Sequence, residues 1–183
     1  MGGDALPHFR YHPDPLGTGS VVASEDRCSV CADARGYSYD GPVYSEEWDE
    51  ELICPWCIAD GSAHERWDAE FTDQWGDEWD AVPLERREEV VQRTPGFSTW
   101  QTSFWLPHCG DACAFLGVVG WPQLRSLPDA QRALRTGNEL VEWVQDDALW
   151  QEFMEGMDAE GESAAALFRC LHCATHVAYW DGA

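Results

Sequence analysis

Eight cysteines fall into four close pairs, with none left over. Cys28 and Cys31, Cys54 and Cys57, and Cys170 and Cys173 are each spaced C-x-x-C, while Cys109 and Cys113 are spaced C-x-x-x-C. Structural zinc takes four thiolate or imidazole ligands in a tetrahedron, usually from two such short-spaced pairs. Four pairs therefore predict two zinc ions, although four thiolates suit a rubredoxin-like iron equally well. Neighbouring, interleaved and nested pairings are all open. The 22 residues between Cys31 and Cys54, against 77 between Cys31 and Cys109, change the closure cost by only about 1 kcal/mol. Neighbour pairing is still favoured, because 22 residues is an ordinary insert in a compact zinc fold. It gives one site of Cys28, Cys31, Cys54 and Cys57 and another of Cys109, Cys113, Cys170 and Cys173. The four-residue spacing of Cys109 and Cys113 predicts a helix presenting both sulfurs on one face, with Gly110 and Asp111 near its start.

Histidine complicates the second site. His108, His172 and His176 adjoin its cysteines and are expected to be packing or hydrogen-bonding neighbours. If one cysteine does not coordinate, His176 or His108 takes its place. Three protein ligands and a water would make a catalytic centre, with Asp111 as the nearest base. Cys54-Pro-Trp-Cys57 also matches the C-P-x-C of thiol oxidoreductases, which sits at a helix start and lowers the thiolate pKa there. The βαβ surroundings of that motif are not present upstream. Arg27, Arg35 and Arg169 stand beside cysteines, and some of them are expected, with knuckle N–H groups, to face the sulfurs.

The formal net charge is −23, and all 11 basic residues are arginine. Such acidity argues against a surface that tracks a nucleic-acid backbone and favours solubility or a basic protein partner. Without lysine, Schiff-base and lysine-base chemistry is closed. No Ser-His-Asp order, Walker loop or H-E-x-x-H is present. No run reaches the ~20 apolar residues of a membrane span, and Met1 to Pro15 does not read as a secretory signal. A cytoplasmic, reducing setting is expected, with thiols rather than disulfides.

The positioning elements follow from local patterns. Leu6 to Gly19 reads as an ordered extended segment, Val21 to Ala23 as a short strand, and Tyr37 to Tyr44 as a strand broken at Gly41-Pro42. Ile58 to Phe71 is a helix candidate, capped by Asp60 or Ser62. Asp73 to Asp80 is an acidic, Trp-bearing loop. Pro83 to Arg93 is a helix with proline in its first turn, Ser98 to Leu106 a loose helix candidate, and Pro128 to Arg135 a short helix stopped by Gly137. Glu139 to Met157 is the longest helical candidate, with Leu140, Trp143, Val144, Trp150, Phe153, Met154 and Met157 as an apolar stripe. The nine acids from Glu139 through Glu162, with no arginine among them, make a solvated face or a docking face for a basic partner. Ala166 to Trp180 reads as strand, knuckle, strand, with Tyr179 and Trp180 beside the metal. The 11 tryptophans are expected to fill the core and shield the sites.

The strings Pro7 to Pro15, Cys28-x-x-Cys31 with Ala34-Arg-Gly-Tyr37, Gly41-Pro42-x-Tyr44, and Cys54-Pro-Trp-Cys57 through Ala63 resemble the CbrC family of uncharacterised bacterial proteins. Arg93 to Phe97, Trp100-Gln101, His108 to Cys113 and Phe168 to Cys173 extend the resemblance over nearly the whole chain. It implies a small bacterial cytoplasmic protein. The family name is associated with tolerance to a colicin, and the resemblance brings no catalytic residues. The expected fold is α+β and irregular, with zinc-knuckle and zinc-ribbon elements and short strands packed against a few helices. Residues 1–183 are expected to form one compact unit, with a knuckle part at about 1–72 and a helical part carrying the ribbon at about 82–183. The expected role is a zinc-stabilised interaction or adaptor module. The alternatives are a thiol-redox or zinc-dependent enzyme and an acidic inhibitor of a basic toxin or nuclease.

Overall fold

The computed structural model describes residues 5–101, 103–137 and 146–182. It is a mixed fold of short helices and small sheets. Near the N-terminus, β1 (Val21–Ala23) pairs antiparallel with β2 (Tyr37–Tyr39). The Tyr39 N–H donates to Ile53 O at 2.8 Å, which carries the chain to the second cysteine pair. Helix α1 (Pro55–Ala59) starts at that pair, with Cys54 at its N-cap and Pro55 in its first turn, where a missing N–H costs nothing. Gly61, at φ 84°, breaks the run, and α2 (Ser62–Trp67) follows. The expected single helix from Ile58 is thus two short ones. Asp60 closes the first, and its carboxylate accepts from the Ser62 N–H and hydroxyl.

Strand β3 (Asp73–Gln74) runs parallel to β4 (Phe104–Trp105). A 3-10 turn at Asp77–Ala81 buries Trp79, and α3 (Leu84–Arg93) follows behind Pro83. The loose helix expected over Ser98 to Leu106 does not form: its end is β4, and its aromatic spacing serves packing. Trp105 is fully buried against Phe97, Phe115 and Phe168, and Phe97 stacks on Phe115 at 3.7 Å between ring centroids. Truncating an aromatic at such a position typically costs about 3–5 kcal/mol.

The hairpin β5 (Pro107–His108) and β6 (Asp111–Ala112) leads into a three-stranded antiparallel sheet of β7 (Ala114–Val119), β8 (Ser163–Arg169) and β9 (His176–Gly182). This sheet is covered on both sides. Ala166, Phe168 and Tyr179 face the aromatic core with Tyr11 and Trp105, while Ala165, Leu167 and Ala178 face a second core with Leu134 and Trp150. The second core is roofed by α4 (Trp121–Leu124), α5 (Pro128–Gly137) and α6 (Asp147–Glu155). A strand buried on both faces reads as a continuous apolar run, and β7 was not marked in the sequence for that reason. A register shift at Phe115/Gly117 lets it keep both faces covered. Gly117 takes φ 132° there, where a side chain would be strained.

The long helix expected from Glu139 begins later. The Asp146 side chain accepts from the Ala148 and Leu149 N–H groups and caps α6 with extended backbone, so no helix runs through it. Leu140, Trp143 and Val144 lie outside the described residues. Trp150, Met154 and Met157 are buried, as their spacing predicts. Trp180 does not reach a metal group. Its indole donates to Ser163 Oγ at 2.9 Å, at the opposite end of the β8–β9 hairpin from the cysteines.

Candidate metal centres

The sulfurs of Cys28, Cys31, Cys54 and Cys57 all lie within 4.8 Å of one another. Cys28 and Cys57 are 3.7 Å apart, Cys54 and Cys57 3.6 Å, and Cys31 and Cys54 3.9 Å. A disulfide would hold two sulfurs at about 2.05 Å, whereas a regular tetrahedron with metal–sulfur bonds of about 2.3 Å has edges of about 3.8 Å. The donor set therefore fits a four-thiolate ion and no disulfide. Its charge pattern agrees. Pairing with Cys54 and Cys57 holds Cys28 far below an ordinary thiol, and the pairing with Cys28 pushes Cys54 up to about 11 and Cys57 higher still. Sulfurs this close share one negative charge easily and resist more, until a cation sits among them.

A second group brings together His108, Cys109, Cys170 and Cys173, again within 4.8 Å of one another. Cys109 and Cys173 sulfurs are 3.8 Å apart, and His108 Nδ1 is 3.5 Å from Cys173 Sγ. With a metal–nitrogen bond of about 2.0–2.1 Å, the mixed edge of the tetrahedron is about 3.5 Å. The predicted neighbour pairing of the knuckles is the one the geometry brings together, but Cys113 is not in the group. Cys109 and Gly110 form a two-residue turn with φ 54° and 72°, and His108 pairs with Asp111 and Pro107 with Ala112. Positive φ at both central positions is the type I′ pattern of tight hairpins. A hairpin occupies the place where i, i+4 spacing suggested a helix. It returns the chain inward, and Cys113 is fully buried in the aromatic core, where burial pushes its thiol up. Its carbonyl accepts from the Trp105 indole at 2.8 Å.

Of the three C-x-x-C pairs, Cys28–Cys31 and Cys170–Cys173 are copies of one loop. In the first, Ala32 N–H donates to Cys28 O, Cys28 N–H to Asp33 O, and Val30 N–H to Cys28 Sγ at 3.4 Å. In the other, Ala174 N–H donates to Cys170 O, Cys170 N–H to Thr175 O, and His172 N–H to Cys170 Sγ at 3.4 Å. Ala32 and Ala174 both take left-handed φ, 62° and 60°. Backbone N–H groups thus reach the sulfurs as expected, joined by Cys54 N–H on Cys28 Sγ at 3.3 Å. Of the arginines, Arg35 pairs with Asp33 over the Trp56 ring and lies close enough to feel the Cys31 and Cys54 sulfurs, while Arg27 donates to Ala32 O instead.

The other histidines are engaged elsewhere. His176 meets Asp129 through both its ring Nδ1 and its backbone N–H. His172 Nε2 lies 3.0 Å from Asp111 Oδ2. Asp111, buried beneath the hairpin, also accepts from the Tyr11 hydroxyl and the Arg10 guanidinium, each at 2.7 Å. Burial alone would raise its carboxyl, but those bonds hold it below the usual carboxylate range. Tied on every side, it is a strut between the N-terminal segment and the second knuckle rather than a free base. This link was missed in the sequence, where Arg10-Tyr11 stands 100 residues away from Asp111.

UPF0167 proteins of Mycobacterium bovis and Mycobacterium tuberculosis are each 53% identical to this chain over 176 residues, covering 96% of it and 93% of their own length. One from Pseudomonas aeruginosa is 41% identical over 169 residues, 92% of both chains. No solved structure matches the chain. The model of the uncharacterised protein family UPF0167 matches residues 6–182, and the chain belongs to that family.

Proposed function

We propose that this is a two-zinc protein in which both ions are structural, holding a sparsely regular backbone in the shape of a protein-interaction module. The observation that carries the reading is the spacing of the donor atoms, tetrahedron edges in both groups. Each group supplies four donors, so neither leaves a position for a reactive water. Asp111, the one base beside the second group, is engaged by three side chains. Cys54 and Cys57, the suspected redox pair, are both 2% exposed, which covers the sulfur that a substrate thiol would attack.

The partner surface is acidic. Trp75 is 76% exposed and Leu84 68% exposed, on a segment that also carries Asp77, Glu78, Asp80 and Glu85. A basic protein with an apolar anchor suits it. The setting is cytoplasmic in this reading, and among the described residues no helix is long and apolar enough to cross a membrane. The CbrC resemblance adds tolerance to a toxin as the process this module would serve.

Metal analysis of protein purified under reducing conditions tests the central claim. Two equivalents of zinc and a colourless solution are expected. A coloured, iron-bearing protein would replace zinc by iron, and a folded, metal-free protein would overturn the reading.

A further inference from the structure

The two groups differ most in what covers them. In the first, Cys28, Cys54 and Cys57 are 4% exposed or less, and Cys31 is half-buried. In the second, only Cys170 is buried: Cys109 and Cys173 are both exposed, with their sulfurs 3.8 Å apart. Cys109 stands at the tip of the β5–β6 turn beside exposed Gly110. Cys173 stands on the outer side of its knuckle, between exposed His172 and Ala174. A small oxidant reaches both without any opening of the fold. A metal-bound cysteine is a thiolate, the nucleophilic form, so ligation does not remove its reactivity.

We propose that Cys109 and Cys173 are an oxidation site for small two-electron oxidants of the peroxide class, and that their oxidation unloads the second centre while the first stays intact. The proposal rests on the two-centre reading above. One exposed thiolate attacks a peroxide oxygen. The O–O bond breaks, hydroxide leaves and takes a proton to become water, and a sulfenic acid remains. The other thiolate attacks that sulfur, the S–S bond forms, and a second hydroxide leaves as water. In total two thiolates, one hydrogen peroxide and two protons give one disulfide and two waters. The sulfurs lose two electrons, the peroxide gains them, and zinc stays divalent. The closure needs the sulfurs to approach from 3.8 Å to about 2.05 Å, within reach of side-chain rotation on two surface turns. His108 and Cys170 then remain as the ion's only protein donors, too few to hold it. Around this centre no other sulfur competes, since Cys113 is buried in the aromatic core and Cys170 lies beneath its own knuckle. The Thr175 hydroxyl, 3.2 Å from Cys173 Sγ, gives that sulfur a hydrogen-bond partner once the metal has gone.

The test is stepwise addition of hydrogen peroxide to the purified, metal-loaded full chain. A chromophoric chelator reads released zinc, and mass spectrometry maps the disulfides. One zinc per chain is expected to leave as a Cys109–Cys173 disulfide forms, with Cys28, Cys31, Cys54 and Cys57 still reduced. Dithiothreitol with added zinc should restore the starting state. Release of both ions together, a first disulfide among the four N-terminal cysteines, or oxidation of Cys109 or Cys173 to sulfinic acid without a disulfide would each overturn the proposal. Zinc counted before oxidant tests the two-centre reading alone, whereas the disulfide map tests the oxidation site whatever that count is.

Discussion

The first and second centres begin from the same C-x-x-C-Ala loop, bonded alike and kinked alike at alanine, yet they sit in different environments. The first is completed by a helix start at Cys54 and is packed into a core with Ile53, Ile58 and Phe71. The second is completed by a hairpin tip and faces solvent through Cys109 and Cys173. Ligand chemistry alone does not set what a thiolate centre does; the element that supplies the second half of its ligands decides whether it is sealed or open. A helix start brings its cysteines down onto the core, while a two-residue turn lifts its cysteine away.

The largest effect should come from removing one ligand from each centre. Cys28→Ser is expected to abolish one zinc and unfold the N-terminal part, because structural zinc contributes about 10–16 kcal/mol in small sites, more than the net stability of most domains. Cys173→Ser should lose only the other zinc and keep a cooperative melt, since β7–β9 has apolar cover on both faces. Zinc content and circular dichroism read both, and an equal collapse would break the contrast.

Acid sharpens it next. Burial keeps the His12 imidazole neutral down to about pH 4, against 6.5 for an unhindered histidine. Its Nδ1–H donates to Pro95 O. Between those values the unfolded chain binds a proton that the folded chain does not. Stability therefore falls as pH drops through that window, by about 3 kcal/mol in all. Ligand protonation at both centres adds to this loss. His12→Asn, which keeps a donor for Pro95, should lose the His12 share alone in pH-dependent denaturant titrations. A variant with the wild-type slope would assign the whole acid effect to the centres.

Smaller still is the contribution of Cys113. Cys113→Ala should keep both zinc ions and cost about 1–2 kcal/mol for a small void in the aromatic core, whereas His108→Ala should lose the second ion. The opposite zinc counts would return Cys113 to the ligand set. The smallest effect tests the likeness of the two knuckles. Ala32→Gly and Ala174→Gly each relieve left-handed strain and should stabilise by about 0.5–1 kcal/mol, by equal amounts if the loops are equivalent. Unequal shifts in denaturant midpoint would show that their surroundings strain them differently.

The cysteine pairs were legible because short Cys spacing marks a shared metal whether the backbone there is a loop, as at Cys28 and Cys170, or a helix start, as at Cys54, and the β8–β9 hairpin was legible because it flanks one. Helix α3 was announced by Pro83, and the start of α5 by Pro128. What stayed hidden depends on distant packing. Cys109 and Cys113 have ideal helical spacing, and only the turn at Cys109-Gly110, set by the sheet that the hairpin feeds, sends them to opposite sides. Histidine 108 was recognised as a substitute ligand but not preferred, because a complete set of four cysteines was at hand. The acid cap at Asp146 was overlooked inside a run whose apolar stripe continues across it.

The strut at Asp111 joins segments that leave the ribosome at different times. In the two-zinc reading, the Cys28 to Cys57 set is complete early, and this part of the chain can capture its ion while the ribosome is still at work. The second set waits for Cys173, and the His172 contact to Asp111 waits with it, whereas Arg10 and Tyr11 can meet Asp111 earlier. The strut therefore closes in two stages, and in that reading metal reaches the chain on two separate occasions.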